Sequence, residues 1–244
     1  MEKRKIEVCF TSENIDYFHI RQSHVVVVDI LRATSSICAA FANGVKTIIP
    51  VATLGEAKKA KQRGLIVAAE RNGQKRDFAD FGNSPFNFTP ERVAGKDVAY
   101  STTNGTRAIV SASGGLSVSI GSFINISAVA KWLVAKQEGD VLVLCAGRKG
   151  KFCLEDSIFA GALVELLLKD KSFYTECDSA QAAIQLWNVA KVDLPSYLEL
   201  ISQRHRLKRL GLDDVLQYCF TPNLTDVVPI LVNGKLRNAN VINE

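Results

Sequence analysis

The sequence predicts an α/β fold of three layers (α/β/α) with a largely parallel or mixed sheet. Two observations support this prediction. Short apolar runs alternate along the chain with segments of helical period, and a glycine follows several of the predicted helices. The apolar runs are rich in Val, Ile and Leu and are not interrupted by alternating polar residues, which is typical of strands buried on both faces.

Six apolar runs in the first part of the chain are predicted as strands: 25–28, 46–50, 65–68, 97–100, 116–120 and 141–144. Five segments between or after them are predicted as helices: 33–42, 54–63, 106–113, 126–137 and 156–168. Beyond residue 170 the pattern predicts helices at 179–190, 195–209 and 212–218, and then strands at 227–232 and 237–241 joined by an Asn-Gly turn.

The chain of 244 residues lies between one and two domains at about 150 residues per domain. We interpret it as a single domain over 1–244. The segments 25–29 and 141–145 are alike, since each is an apolar run followed by a polar turn and a helix. This weak similarity leaves open an alternative of two similar α/β subdomains, at about 1–120 and 121–244.

The composition excludes disorder, collagen and coiled coil, because 47% of the residues are hydrophobic and 23% are charged. The longest apolar stretch, 158–168, is interrupted by Glu165 and is too short to span a bilayer. The basic start of the chain is not followed by the apolar run of a signal peptide. The six cysteines form no Cys-x-x-Cys pair. We therefore expect a cytoplasmic protein with reduced cysteines.

The net charge is +5, and the basic residues cluster at 58–63 and 204–209. Aromatic residues do not alternate with these charges, so we interpret both clusters as solvated helix faces. Nucleic-acid binding through 204–209 is the less favoured alternative. The charge suits a small anionic phosphorylated substrate, with no nucleic acid and no membrane as partner. The sequence leaves open whether the chain forms a homo-oligomer.

Ligands of open α/β sheets collect at the carboxyl ends of the strands, so the residues that follow each predicted strand are the candidate site. Asp29 ends the first predicted strand, and Arg32 and three hydroxyl residues follow it. A carboxylate there can hold Mg²⁺ or attack phosphorus, and Arg32 can clamp phosphate oxygens. Alternatively, Asp29 only caps the following helix.

The segment 101–107 combines hydroxyl side chains with a glycine and is predicted to bind phosphate. The dipeptide Asn104-Gly105 is also a strong signal for a β-hairpin, and that alternative stays open beside a helix at 106–113.

Three further acids follow strands. Glu155 and Asp156 either bind a hard cation opposite Asp29 or complement a helix dipole. Glu70 is either a carboxylate of the site or a partner in a surface ion pair. Cys145 is a reactive thiol if its pKa is lowered, and otherwise a buried and inert one.

Several catalytic motifs are absent from the sequence, among them Gly-x-x-x-x-Gly-Lys, Gly-x-Gly-x-x-Gly, Gly-x-Ser-x-Gly and the Cys-x₅-Arg loop of tyrosine phosphatases. The three histidines show no metal-ligand spacing. These absences disfavour zinc hydrolysis and Ser-His catalysis.

Five motifs in order, spread over nearly the whole chain, resemble the 2-phosphosulfolactate phosphatase family. They are Val-Asp-Ile-Leu-Arg-Ala-Thr at 28–34, Gly-Asn-Ser-Pro at 82–85, Thr-Thr-Asn-Gly-Thr at 102–106, Cys-Ala-Gly at 145–147, and Glu-Asp at 155–156 with Ala-Gly at 160–161. The resemblance implies Mg²⁺-dependent hydrolysis of (2R)-2-phosphosulfolactate to sulfolactate and phosphate, a step of coenzyme M biosynthesis. Two departures from the family pattern, Ala69 and Asn87, bear on substrate choice.

The resemblance also implies roles for individual residues. The candidate metal ligands are Asp29, Glu70, Glu155 and Asp156. The candidate contacts to substrate are Asn83, Ser84, Thr102, Thr103, Asn104, Gly105 and Thr106. The candidate catalytic residues are Asp29, Arg32 and Cys145.

The nucleophile stays open at this point. In order of preference it is Asp29 itself, a water that Asp29 and the cation activate, or Cys145. A non-catalytic module that binds a small anionic metabolite through the same loops is the alternative function.

Overall fold

One mixed sheet of 11 strands, flanked by helices, forms the centre of the computed structural model, which describes residues 3–242. The strands are β1 (Arg4–Cys9), β2 (Ser23–Val28), β3 (Thr47–Pro50), β4 (Ile66–Arg71), β5 (Gln74–Lys75), β6 (Asp97–Ser101), β7 (Ser117–Gly121), β8 (Asp140–Cys145), β9 (Phe173–Tyr174), β10 (Pro229–Val232) and β11 (Lys235–Asn238). This confirms the predicted α/β class.

The helices pack on the sheet and connect its strands. They are α1 (Ala33–Ala42), α2 (Leu54–Gln62), α3 (Pro90–Val93), α4 (Gly105–Ser111), α5 (Ile126–Val134), α6 (Leu154–Leu167), α7 (Asp178–Ala190), α8 (Leu194–Leu198), α9 (Ser202–Arg209), α10 (Leu216–Phe220) and α11 (Ala239–Ile242), with short 3-10 turns between some of them. Within the described chain, none of them has the length and apolar character that a membrane span requires.

The strand order is β5-β4-β6-β3-β11-β10-β7-β2-β8-β1-β9. Strands β4, β6 and β3 form one parallel set, and β7, β2, β8, β1 and β9 form a second. The hairpin β10–β11 joins the two sets by antiparallel pairing with β7 on one side and β3 on the other. The last strands of the chain therefore complete the middle of the sheet. The division into two subdomains stays a prediction.

The two faces of the sheet carry separate hydrophobic cores, as a three-layer fold requires. Val26 and Val28 of β2 belong to a core shared with helices α5, α6 and α7. Val25 and Val27 belong to a core shared with α1 and α4. Strand β2 is buried along its whole length, which explains its uninterrupted run of valines.

The structure corrects several predicted elements. Strands β1, β5 and β9 were not predicted, because they are polar or only two residues long. The helix predicted at 195–209 is two helices, α8 and α9. The hairpin alternative at Asn104-Gly105 is wrong, because α4 begins at Gly105.

The Asn-Gly turn near the end of the chain is confirmed, with positive φ at both Asn233 (50°) and Gly234 (74°). The strand after it begins at Lys235, earlier than predicted, and ends at Asn238. The Asn238 side-chain oxygen accepts hydrogen bonds from the Val228 and Asn240 amides, at 3.2 and 3.4 Å. This side chain stops the strand and starts α11.

Helices α6 and α7 touch at Gly161, and this contact generates a prediction about stability. A Cβ atom on Gly161 would lie 2.0 Å from the Ala183 carbonyl oxygen. Because a backbone atom cannot move aside cheaply, we expect Gly161→Ala to lower the free energy of unfolding by about 1–3 kcal/mol. Denaturant titration measures the change.

The exposed helical Gly55 offers a matched control, since the nearest atom to its Cβ would be 3.8 Å away. Gly55→Ala should leave stability unchanged or raise it by up to about 1 kcal/mol. Equal effects of the two substitutions would contradict the close packing of α6 on α7.

Candidate active site

Asp29 stands directly after β2 and caps helix α1. Its backbone N–H donates to Thr34 Oγ1 at 3.1 Å, and its Oδ1 accepts a longer hydrogen bond from the Ala33 amide at 3.4 Å. Burial, together with the negative charge of Glu70, raises the pKa of Asp29 to about 6. Asp29 also lines a pocket, so it is both a cap and a carboxylate of the site.

Asp156, in the first turn of α6, ties together the loops that follow β2 and β8. Its Oδ1 accepts a hydrogen bond from the Ile30 amide at 2.9 Å, and its Oδ2 accepts one from the Gly147 amide at 3.3 Å. Burial raises the pKa of this carboxyl well above its usual range, and the charges of Glu155 and Asp29 add to the rise. Asp156 is therefore a buried clamp beside Asp29.

Glu155 is buried next to Asp156 and belongs to the same electrostatic cluster. Burial raises its pKa to about 7, and the charge of Asp29 contributes. Three carboxyl groups thus lie close enough to disfavour one another's ionisation. A cation among them would relieve this repulsion.

Glu70 lies near the end of β4 and holds the loop after β6 against the turn that follows β4. Its Oε1 accepts hydrogen bonds from the Thr103 amide and hydroxyl, at 2.7 and 2.9 Å, and its Oε2 accepts one from the Gly73 amide at 2.6 Å. The residue is only 5% exposed. The alternative of a surface ion pair is therefore wrong.

In the segment 102–106, the hydroxyl groups of Thr102 and Thr106 form hydrogen bonds within the segment itself. The Thr102 hydroxyl accepts from the Thr106 amide, and the Thr106 hydroxyl accepts from the Thr102 amide, both at 3.1 Å. A Cβ on Gly105 would lie 2.5 Å from Ala33 Cβ and 2.9 Å from Asp29 Oδ2. Glycine at this position lets the start of α4 pack directly on Asp29.

Asn83 and Asn104 face the pocket, and Ser84 is half-buried beyond its lining. The Tyr100 hydroxyl at the end of β6 donates to Asn83 Oδ1 and, at 3.3 Å, to the Ala33 carbonyl oxygen. This tyrosine connects the carboxyl end of one parallel set to the helix that follows the other. The ends of β2, β4, β6 and β8 therefore meet at one place.

The pocket at this place is strongly polar, and its charged side chains are four basic and two acidic. It is lined by Asp29, Leu31, Arg32, Glu70, Asn72, Gly73, Asn83, Thr103, Asn104, Arg148, Lys149, Gln203 and Arg206.

Within the described chain, the four basic side chains form no ion pair with Asp or Glu. Arg32 is only 4% exposed, and burial lowers its pKa, yet an arginine stays charged in proteins. A buried cation without an ion-pair partner, with three further cations around the same pocket, indicates an anion-binding site.

Arg206 corrects the interpretation of the cluster 204–209 as a solvated face. Lys208 and Arg209 are exposed, but Arg206 is half-buried and lines the pocket. The sequence holds a signal for this placement: Gln203 and the apolar Leu207, four residues apart, define the inner face of α9, and Arg206 follows Gln203 by three residues and so lies beside it at the edge of that face. Arg148 and Lys149, from the loop after β8, also line the pocket without having been predicted to bind substrate.

Cys145 ends β8 and is completely buried. Burial raises the pKa of its thiol well above the ordinary range, and the charge of Asp156 adds to the effect. A neutral thiol is a poor nucleophile. Of the two alternatives for Cys145, the structure supports the buried and inert thiol. All cysteines of the chain are free thiols.

The donor chemistry of the site fits Mg²⁺ without a cage made only by protein. No group of three or more His, Cys, Asp or Glu side chains among residues 3–242 is placed to hold a metal ion by itself. In sites that act on phosphate, Mg²⁺ takes one or two carboxylates and completes its shell with water and substrate. Asp29 suits this role, because it lines the pocket and accepts a long hydrogen bond from the Ala33 amide, whereas Glu70 and Asp156 accept shorter backbone hydrogen bonds. Glu155 is buried near Asp29 but does not line the pocket, and it is the candidate for a second carboxylate.

Several known proteins are similar to this chain over most of its length. The family description "2-phosphosulpholactate phosphatase" matches residues 9–234. A protein of Caldanaerobacter subterraneus named "Probable 2-phosphosulfolactate phosphatase" is 36% identical over 94% of this chain and 96% of its own length. Proteins with the same name from Thermotoga maritima (38% identical, 86% of this chain, 89% of theirs) and Clostridium acetobutylicum (34%, 95% and 99%) are also similar. The chain therefore belongs to the 2-phosphosulfolactate phosphatase family, a family of phosphoric monoester hydrolases.

Proposed function

We propose that the protein hydrolyses the phosphate monoester of (2R)-2-phospho-3-sulfolactate, with Mg²⁺ as cofactor, to give (2R)-3-sulfolactate and phosphate. The observation that carries this proposal is the convergence of four basic side chains without acidic partners on the pocket that contains Asp29. The names of the similar proteins supply the substrate. In an organism that makes coenzyme M, the product would enter that pathway.

The charge of the pocket suits this substrate. Phosphosulfolactate carries a phosphate ester, a carboxylate and a sulfonate on a skeleton of three carbons, so it presents a high density of negative charge. Arg32, Arg148, Lys149 and Arg206 all line the pocket. A neutral or cationic substrate would leave these charges unpaired.

Asp29 and Arg32 are the residues we assign to the phosphate. Arg32 presents a planar guanidinium whose fork matches two oxygens of a phosphate. Asp29, held by the Ala33 amide at the start of α1, lines the same pocket as Arg32. Bound Mg²⁺ would neutralise phosphate charge as the ester bond breaks.

In the sequence of steps we favour, an Asp29 oxygen attacks phosphorus, and the bond between phosphorus and the substrate oxygen breaks. The departing oxygen takes a proton from a water molecule to become the hydroxyl of sulfolactate. Water then hydrolyses the aspartyl phosphate and returns Asp29 to its carboxylate. Cys145 has no part in these steps, since its thiol is buried and neutral.

The proposal is tested by phosphate release from phosphosulfolactate and from a panel of phosphorylated hydroxy acids, with Mg²⁺ and with EDTA. We expect release from phosphosulfolactate that is fastest in the panel and that EDTA abolishes. Release from another member of the panel alone would contradict the substrate. Tight binding of phosphosulfolactate without release would favour the non-catalytic binding module.

Asp29→Asn tests the central residue. We expect the variant to lose at least about 100-fold in kcat, because an amide neither attacks phosphorus nor carries the charge that a cation needs. It should unfold at the same temperature as the wild type or higher without Mg²⁺, since the substitution removes one charge from a cluster of like charges.

Steady-state kinetics and thermal unfolding measure the two effects, and the exposed Asp16→Asn is the matched control. A kcat near that of the wild type would remove Asp29 from the mechanism. A large loss of stability would mean that its role is structural.

A further inference from the structure

Helix α9 is fastened to the site by one side chain. Gln203 donates from Nε2 to the Leu31 carbonyl oxygen at 3.0 Å, in the loop that leads to Arg32. The same amide group accepts, through Oε1, a hydrogen bond from Arg206 Nε at 2.9 Å. Gln203 therefore sets the position of Arg206 relative to the residues we assign to the phosphate.

The outer end of the Arg206 guanidinium faces the turn between β4 and β5. A Cβ on Gly73 would lie 3.1 Å from its Nη1 and 3.5 Å from its Nη2. Gly73 has a φ of +83° and carries no side chain, so the turn leaves room for the guanidinium. Because Nε is bonded to Gln203, the two Nη groups remain to meet a ligand in the pocket.

The surroundings of Arg206 disfavour its charge unless an anion is present. Burial lowers its pKa, and the neighbouring cations Arg148 and Arg32 lower it further, against the opposing effects of Glu70 and Asp29. Arginine nevertheless keeps its proton in proteins. The fold thus holds a second charged fork beside the one at Arg32, although neither has an ion-pair partner in the described chain.

We propose that Arg206 is the specificity-determining contact for the sulfonate of the substrate, and this assignment rests on the proposed function. The sulfonate lies one carbon further from the phosphate than the carboxylate does. A substrate whose phosphate is at Arg32 would therefore direct its sulfonate towards a second cation of the pocket. A planar guanidinium with both Nη groups available matches two oxygens of a sulfonate.

The test compares two substrates that differ only in this group. 2-Phospholactate has the phosphate and carboxylate of phosphosulfolactate, with a methyl group in place of the sulfonate-bearing carbon. The measured quantity is the ratio of kcat/KM for phosphosulfolactate to kcat/KM for 2-phospholactate. We expect Arg206→Gln to lower this ratio about 10- to 100-fold, mainly through a loss on phosphosulfolactate.

Two further variants distinguish a direct contact with the sulfonate from a general effect of charge and from a loss of folding. Arg206→Lys, which keeps the charge and loses the fork, should retain part of the preference. Arg209→Gln changes the same charge on an exposed position of the same helix and should leave the ratio unchanged. A ratio that Arg206→Gln leaves unchanged, or lowers no more than Arg209→Gln does, would overturn the assignment. So would a wild type that does not prefer the sulfonated substrate.

Binding of the dephosphorylated compounds tests the assignment independently of turnover. Calorimetric titration with sulfolactate and with lactate should show tighter binding of sulfolactate to the wild type and loss of that difference in Arg206→Gln. If no substrate is hydrolysed, the proposed function fails while this titration still decides the role of Arg206. Equal binding of sulfolactate and lactate to the wild type would overturn that role.

Discussion

Uncompensated charge at the meeting point of four strands is the constraint on which the site depends. Burial raises the pKa values of Asp29, Glu155 and Asp156, and the charges of neighbouring carboxylates add to the rise. Arg32 and Arg206 stand without ion-pair partners in the described chain. Holding such groups apart from partners costs free energy, which other parts of the fold must offset. A cation and an anionic ligand together would balance both sets of charges.

Rigid surroundings keep these groups in place. Strand β2, buried on both faces, fixes the position of Asp29. Asp156 and Glu70 act as clamps, because each accepts hydrogen bonds from backbone amides of neighbouring loops. Helix α9 is held against the pocket by the hydrogen bond from Gln203 to the Leu31 carbonyl oxygen. Glu70 and Asp156 thus shape the pocket around Asp29, the carboxylate to which we assign the catalytic role.

Much of this arrangement follows from local sequence pattern. The valine run of β2, helix α1 and the position of Asp29 between them were predictable, because burial and capping are local. The Asn233-Gly234 turn was predictable for the same reason. The position of this hairpin in the middle of the sheet was not predictable, since it depends on pairing with β3 and β7, which are far away along the chain. Arg206 was missed because charge alone does not show which member of a basic cluster faces inward, and the spacing of Gln203 and Leu207 that indicates it was not used.

The measurement that tests the account most directly is a crystal structure of the protein grown with Mg²⁺ and (2R)-3-sulfolactate. The account predicts the cation in contact with Asp29, and sulfonate oxygens within hydrogen-bond distance of the Arg206 Nη atoms. Both would lie in the pocket at the ends of β2, β4, β6 and β8. Sulfolactate bound only elsewhere, such as on the exposed lysines of α2, would contradict the account, as would a cation that does not touch Asp29.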